Sequence, residues 1–576
     1  MLIVGLAGCG PLRSGSQLDN ADTPPAPTSV TLSIVGTNDL HGAIASREGR
    51  GGLALLGGYV ANLRAARAKD GAVLLIDAGD MFQGTLESNL SEGAAVVAAY
   101  NALGYAAAAV GNHEFDFGPN GEASTPRQPR DDPRGALKAR AAEAKFPLLA
   151  ANLVDQATGR IVAWPNVQPG VLLQAAGIKV GIVGVMTYRA LTATMAANVK
   201  GLNVAPLVAT ITEHATALRT QGAEVVVVTA HAGARCTSFE SPTDLSSCTG
   251  DGEILEVAAA LAPGLVDVIV AGHTHAGMAH QSNGIAIIES FSSGRAFGRV
   301  DLTVDLGTRR PTNTKIYPPQ DTCLQVDAGT RVCEAEPVAG ATMIGSTYEG
   351  RAVVPDATIA AAIEPHLTKV RDLRAMPLGV VLDTPLPRTA ASDSPLGNLF
   401  TDVFLQSVPN ADFAINNTSG GIRADLPAGP LTYGSLFEAY PFDNVLVRFE
   451  TTGGALRKAL EARLRGRAVP GTAGLQVSVQ CSDARPALQL HRPDGRVVAD
   501  DERVSVVTTD FIATGGDGIF PEGFFGGVTV DDIGITVRDA AANWLRARGG
   551  RLSERDFVIP ERPRWVLPGP WPVRCN

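Results

Sequence analysis

Five short stretches of this chain hold side chains able to bind a cation or move a proton. Asp39-Leu40-His41 lies in TNDLHG, and Asp77-Ala78-Gly79-Asp80 makes a second stretch. Gly111-Asn112-His113-Glu114-Phe115-Asp116 makes a third, His231 sits in TAHAG, and His273-Thr274-His275 ends GHTH. Five of the nine histidines fall in these stretches, together with Asp39, Asp80 and Asn112. Mixed imidazole and oxygen donors suit a pair of borderline divalent ions, not a Ca²⁺ cage. Such ions activate water for hydrolysis. The i, i+2 spacing of Asp39 and His41 would aim both side chains the same way in extended backbone. Gly79 allows a sharp turn ahead of Asp80.

Each stretch follows a short apolar, β-branched run: TLSIV, AVLLI, AAAAV, EVVVV and VDVIV, with KVGIVGV as a further strand. Amphipathic stretches 57–69 and 206–220 lie between them and read as helices. Continuous apolar strands covered on both faces give an α/β architecture, which places ligands beyond the strand C-termini. The clusters sit at those ends. After 307 the pattern dissolves into turn-rich sequence. Residues 356–374 then read as a helix despite Pro365, and a second unit begins beyond Val380 with LGNLFTDVFLQSV, ADFAINN, VLVRFE and RVSVVTTDFIA.

The whole chain has 576 residues and 59.7 kDa, more than one ordinary core, with 45% hydrophobic and 18% charged residues. That composition excludes disorder as the main state. A net charge of −10 argues against a nucleic-acid binder, which needs a basic face. No stretch reaches the roughly 18 apolar residues of a membrane span. The start, ending Leu6-Ala7-Gly8-Cys9, resembles the lipobox of bacterial lipoproteins, and a Pro-rich tether, DNADTPPAPTS, follows. A lipid anchor at Cys9 is therefore expected. No Lys or Arg precedes it, so a truncated start and a chance match remain alternatives. Of the other six cysteines, Cys236 and Cys248 are neighbours, as are Cys323 and Cys333, leaving Cys481 and Cys575. Three pairs suit an oxidising, exported compartment, with the connectivity open.

The C-terminal unit adds Gly420-Gly421-Ile422-Arg423, Tyr440-Pro441-Phe442-Asp443-Asn444 and Phe511 through Asp517. Two rings beside polar loops could sandwich a nucleobase. Asp517 could accept from ribose hydroxyls and Arg423 could fork onto phosphate.

Together these motifs resemble the calcineurin-like metallophosphoesterases, in particular the 5'-nucleotidase / UDP-sugar hydrolase group. The resemblance implies an N-terminal αββα sandwich (30–340) behind a signal and tether (1–29), then a linker with a connecting helix (341–376). A C-terminal α/β nucleotide-binding domain (377–576) completes the chain. It implies that Asp39, His41 and His275 hold one divalent metal (Zn, Mn or Co), that Asn112, His231 and His273 hold another, and that Asp80 bridges. His113 and Asp116 match the catalytic dyad. Phe442 and Phe511 would stack on the base, with Asn444, Asp517, Arg423 and Arg388 as further substrate contacts. The family places Asn five residues before this Arg; here that position is Thr418, with Asn417 one residue earlier. The expected protein is an exported monomer that hydrolyses nucleoside 5'-monophosphates and UDP-sugars, its domains rotating about 356–374. A 2',3'-cyclic-nucleotide phosphodiesterase and a silent nucleotide-binding surface protein are the alternatives.

Overall fold

The computed structural model describes residues 28–121, 124–126, 128–249, 252–333, 341–389, 393–464, 466, 468–482 and 485–575. Cys9 and the tether before Thr28 lie outside the described residues. Two facing sheets build the N-terminal domain. One has seven strands, with Ser29–Thr37, Gly71–Asp77 and Ala107–Ala109 adjacent and parallel at its centre. The other has six, with Ile178–Met186, Val225–His231 and Val268–Ala271 parallel at its centre.

Alternation explains why these runs are apolar throughout. Leu32, Ile34 and Ile76 point between the sheets and meet Ile182, Val227 and Ile288 in one core. Val35 and Leu75 point outward, beneath the helices Leu53–Arg67 and Ala94–Leu103. On the far side Val226 and Val228 pack under Leu207–Thr220 and Glu253–Ala260. The result is the four-layer αββα sandwich that the resemblance implies. Register brings the clusters together: Thr37 pairs with Asp77 in one sheet, and Ala230 with Ala271 in the other. Among the described residues no helix is long and apolar enough to cross a membrane.

A helix, Ala357–Ala375, joins the domains, its first turn capped by Asp356 Oδ1 accepting from Thr358 N at 2.8 Å. Ile359 and Ile363 sink into the N-terminal core, whereas Val370 packs against Leu86 and Phe437. Arg374 near its end pairs with both Glu87 and Glu438, one carboxylate from each domain. The C-terminal domain centres on a five-stranded sheet that includes Phe413–Asn416, Arg503–Thr509 and Val445–Thr452. Phe413 and Ile415 face one core, and Ala414 faces the other.

Disulfides join Cys236 to Cys248, Cys323 to Cys333 and Cys481 to Cys575. The last spans 94 residues of sequence, so it removes the most freedom from the unfolded chain. Replacing Cys481 and Cys575 by Ser should lower the unfolding free energy of the C-terminal domain by about 2–4 kcal/mol, read from denaturant midpoints; an unchanged midpoint would refute this.

Candidate metal centre and substrate cavity

Strand ends alone do not aim ligands at a point; the backbone must turn at once. Asp39, His41, Asp80, His273 and His275 all have positive φ, between 49° and 77°. This region disfavours side chains other than Gly, Asn and Asp, and residues held there cost free energy that the surroundings must offset. Asp39 and His41 therefore do not converge by extended i, i+2 geometry. The strand stops at Thr37, and both residues are turned in by left-handed backbone. Gly79 (φ 92°) makes the turn before Asp80 as expected, and a Cβ there would lie 2.8 Å from Gly111 N.

All seven side chains assigned to the metals meet in one cluster. His231 Nδ1 donates to Ala78 O at 2.9 Å, so its Nε2 carries the lone pair. That nitrogen faces Asn112 Oδ1 at 3.0 Å and Asp80 Oδ2 at 3.2 Å. Asn112 Nδ2 donates away, to Ala193 O. With the ring neutral, Nε2 therefore faces two oxygen acceptors with no hydrogen between, and His273 Nδ1 lies 3.1 Å from the same Asn112 oxygen. His41 repeats the pattern. Its Nδ1 donates to Gln83 O at 2.9 Å, and its Nε2 faces His275 Nε2 at 3.0 Å, with Asp39 Oδ1 and Asp80 Oδ2 each at 4.0 Å. Asp39 Oδ1 is buried without a hydrogen-bond partner. Asp80 Oδ2 is shared by both groups, the placement a bridging ligand requires. The residues present fit a pair of divalent cations.

The electrostatics agree. Burial pushes His41 down to about 3 and His273 to about 4, keeping both imidazoles neutral. Burial also acts downward on His231, but the Asp80 carboxylate overrides it and lifts the ring to about 10. The same negative charge would attract a cation, and a cation binds this ring in its neutral form.

Sequence reasoning missed the supports. Glu114 is buried and accepts from the backbone N–H of Asp80, Met81, Phe82 and Gly111 at 2.6–3.3 Å. It holds together the turns carrying Asp80 and Asn112. Asn38 donates to Asp39 Oδ2 at 2.8 Å and accepts from Ser290 N. Glu289 accepts from Thr274 Oγ1 at 2.6 Å, fixing the loop between His273 and His275. Buried carboxylates and amides that collect backbone N–H groups have no signature in composition; the adjacency of Glu114 to the His113 stretch was the available hint.

His113 lies beside the cluster, its ring centroid 5.3 Å from that of His41. Its Nδ1 bonds Asp116 Oδ2 at 2.5 Å, and Asp116 Oδ1 accepts from Thr194 Oγ1 at 2.7 Å. Burial acts downward on His113, yet Asp116 and Asp80 prevail and raise it, favouring a proton donor.

A cavity of about 500 Å³ runs from Asp80, Asn112, His113, His273 and His275 to the C-terminal domain. Its far wall includes Phe442, Asn444, Phe511, Asp517 and Arg423, so the domains close over one space. Phe511 lies against Gly516, where a Cβ would come within 2.5 Å of the ring. Arg423 sits over the Phe442 ring at 5.1 Å. Asn444 is partly committed, its Nδ2 donating to Asp510 Oδ1 at 3.3 Å. Thr418 turns away and donates to Val469 O. Asn417 enters the cavity instead: its Nδ2 bonds Asp517 Oδ2, and its Oδ1 accepts from Gly420 N at 2.9 Å. Asn416, unflagged by the sequence, lines the cavity fully buried with neither amide atom bonded. Arg388 lies outside this cavity, in an adjoining one.

Comparison with known proteins agrees with this architecture. The calcineurin-like phosphoesterase family model matches residues 32–277, and the 5'-nucleotidase C-terminal domain model matches 377–522. Endonuclease YhcR of Bacillus subtilis is 28% identical over 84% of this chain, which spans 37% of that protein. Cell wall protein Lmo0130 of Listeria monocytogenes is 26% identical over 86% of this chain and 64% of its own. The crystal structure of a 5'-nucleotidase precursor from Thermus thermophilus superposes with a TM-score of 0.68 at 23% identity, covering 93% of this chain and 99% of that one. The chain thus carries a calcineurin-like phosphoesterase domain followed by a 5'-nucleotidase C-terminal domain.

Proposed function

We propose that the protein is an exported, two-metal phosphohydrolase that releases phosphate from nucleoside 5'-monophosphates and cleaves UDP-sugars. One observation carries the reading. His231 Nε2 and His41 Nε2 both face Asp80 Oδ2, at one end of a cavity whose other end carries Phe511 and Asp517. Phosphate monoesters hydrolyse very slowly unaided, so the centre must supply both a nucleophile and charge. Two divalent ions there would provide a water of lowered pKa and neutralise phosphoryl oxygens.

The chain's own groups do the rest. His113, oriented through Nδ1 by Asp116, holds a proton on its other nitrogen for the charge that develops on the phosphoryl and leaving oxygens. Arg423 faces the phosphate and Asp517, steadied by Asn417, accepts from ribose hydroxyls. Phe511 and Phe442 stack on the base. Asn416, with a free donor and a free acceptor, reads its hydrogen-bonding edge. Three disulfides and a relative named for the cell wall support export.

Three outcomes test this. Protein stripped by chelator and reloaded with Mn²⁺, Zn²⁺ or Co²⁺ should regain hydrolysis of AMP and of a UDP-sugar. A 2',3'-cyclic nucleotide cleaved in preference would favour the cyclic-phosphodiesterase reading, and inactivity on every substrate would favour a silent binding protein. Phe511→Ala should lower kcat/KM for AMP about 10- to 100-fold, the worth of one base stack, while sparing an aryl phosphate; equal losses would contradict base stacking. Glu114→Gln turns an amide donor toward backbone donors, so metal occupancy should fall at least about tenfold with far-UV circular dichroism unchanged. Full occupancy would show that Glu114 does not position the ligands.

A further inference from the structure

A second cavity, of about 600 Å³, adjoins the first across Gln83, His275 and Arg423. Its walls include His41, which the first cavity does not reach, whereas the first meets Asn112 and His273; His275 borders both. Five arginines line it: Arg47, Arg50, Arg295, Arg388 and Arg423. Two are already neutralised, Arg47 by Glu438 at 3.1 Å and Arg50 by Asp321 at 2.8 Å. The other three are not. Among the described residues the Arg295 guanidinium has no hydrogen bond or ion pair. Among the same residues the Arg388 guanidinium reaches only Ile422 O, at 3.5 Å, and Arg423 has no carboxylate within ion-pair distance. Glu48 is the remaining carboxylate of this lining, and Arg423 is shared with the first cavity, so Arg295 and Arg388, both exposed, carry the free positive charge here. They form an anion site. The space is of ligand size, more than the transferred phosphoryl alone occupies.

We propose that this second cavity binds the group beyond the hydrolysed phosphoryl of a nucleoside diphosphate conjugate, and that it selects conjugates in which that group is anionic. The proposal rests on the nucleotide-hydrolase reading above. The nucleoside occupies the first cavity, the phosphoryl sits at the cluster, and the conjugated group enters the second cavity toward Arg295 and Arg388. A neutral sugar fits there but leaves the guanidiniums unpaired; a carboxylate or phosphate on that sugar pairs with them. Arg295 lies on the loop just after Phe291, whose carbonyl accepts from Asn38 at 2.7 Å, so the residue that reads the conjugate is tied to the turn holding Asp39.

UDP-glucose and UDP-glucuronate, identical but for one carboxylate, measure this directly, with AMP as the reference. In the natural chain kcat/KM for UDP-glucuronate should exceed that for UDP-glucose about tenfold, the effect of one charge-assisted contact. Arg295→Ala should bring that ratio to about one and leave AMP hydrolysis within about twofold, which also shows that the variant is folded. Arg295→Lys should restore part of the preference. A ratio near one in the natural chain, or one that survives Arg295→Ala, overturns the proposal while the hydrolase reading stands. Weakened inhibition of AMP hydrolysis by inorganic phosphate in Arg295→Ala, with the ratio unchanged, would make the cavity a site for free anions and overturn it too. Absence of hydrolysis of all three compounds sinks the underlying reading, and the proposal with it.

Discussion

His231 Nε2, in the neutral ring, stands within hydrogen-bond distance of both Asn112 Oδ1 and Asp80 Oδ2 without a hydrogen to share. Acceptors so placed repel unless a positive charge lies among them, and burial deprives them of water as an alternative. The rest of the N-terminal domain can be understood as the apparatus that tolerates this arrangement. Two rigid sheets present five strand ends at one edge. Glu114, Asn38 and Glu289 then hold the turns so that the ligands cannot relax apart.

The strain at those turns is local and specific. Five of the seven assigned ligands adopt left-handed backbone, and for the three histidines among them that region is costly. Their neighbours make this tolerable: Gly111 and Gly272 let the chain pass within a few ångströms of Asp80 and Asp39, and Gly79 lets it pass Gly111, where a Cβ would collide or crowd. Gly111 is the tightest, its absent Cβ falling 2.3 Å from Asp80 Oδ1. Rigidity here matters for hydrolysis, because preorganised charge lowers a barrier only if the site does not reorganise during reaction.

Much of this was legible in the sequence. Apolar runs covered on both faces foretold the strands, and the abrupt change from Val or Ile to Asp, His and Asn marked their ends. The helix at 356–374 and the pairing of neighbouring cysteines were legible for the same reason, being local. What the sequence hid depends on contacts distant along the chain or on backbone sign. The left-handed turns at Asp39 and His41 contradict the extended reading, because a side-chain pattern carries no φ. The sequence offered Thr418 and Asn417 for one role and gave no sign of Asn416, since which of three adjacent polar residues faces a cavity depends on where the strand stops. Arg295 had no motif to mark it; only the cavity shared with His41 and His275 gives it meaning.

In the proposed reading the two domains divide the work, cations on one side and nucleoside contacts on the other, and Arg374 of the connecting helix is anchored to a carboxylate of each. Function therefore depends first on the cluster. Its most direct test is anomalous diffraction from crystals of the Mn²⁺-loaded protein. Two anomalous peaks are expected, one among Asp39, His41 and His275 and one among Asn112, His231 and His273, with Asp80 touching both. A single peak, or peaks away from Asp80 at full metal loading, would contradict a two-metal centre bridged by Asp80.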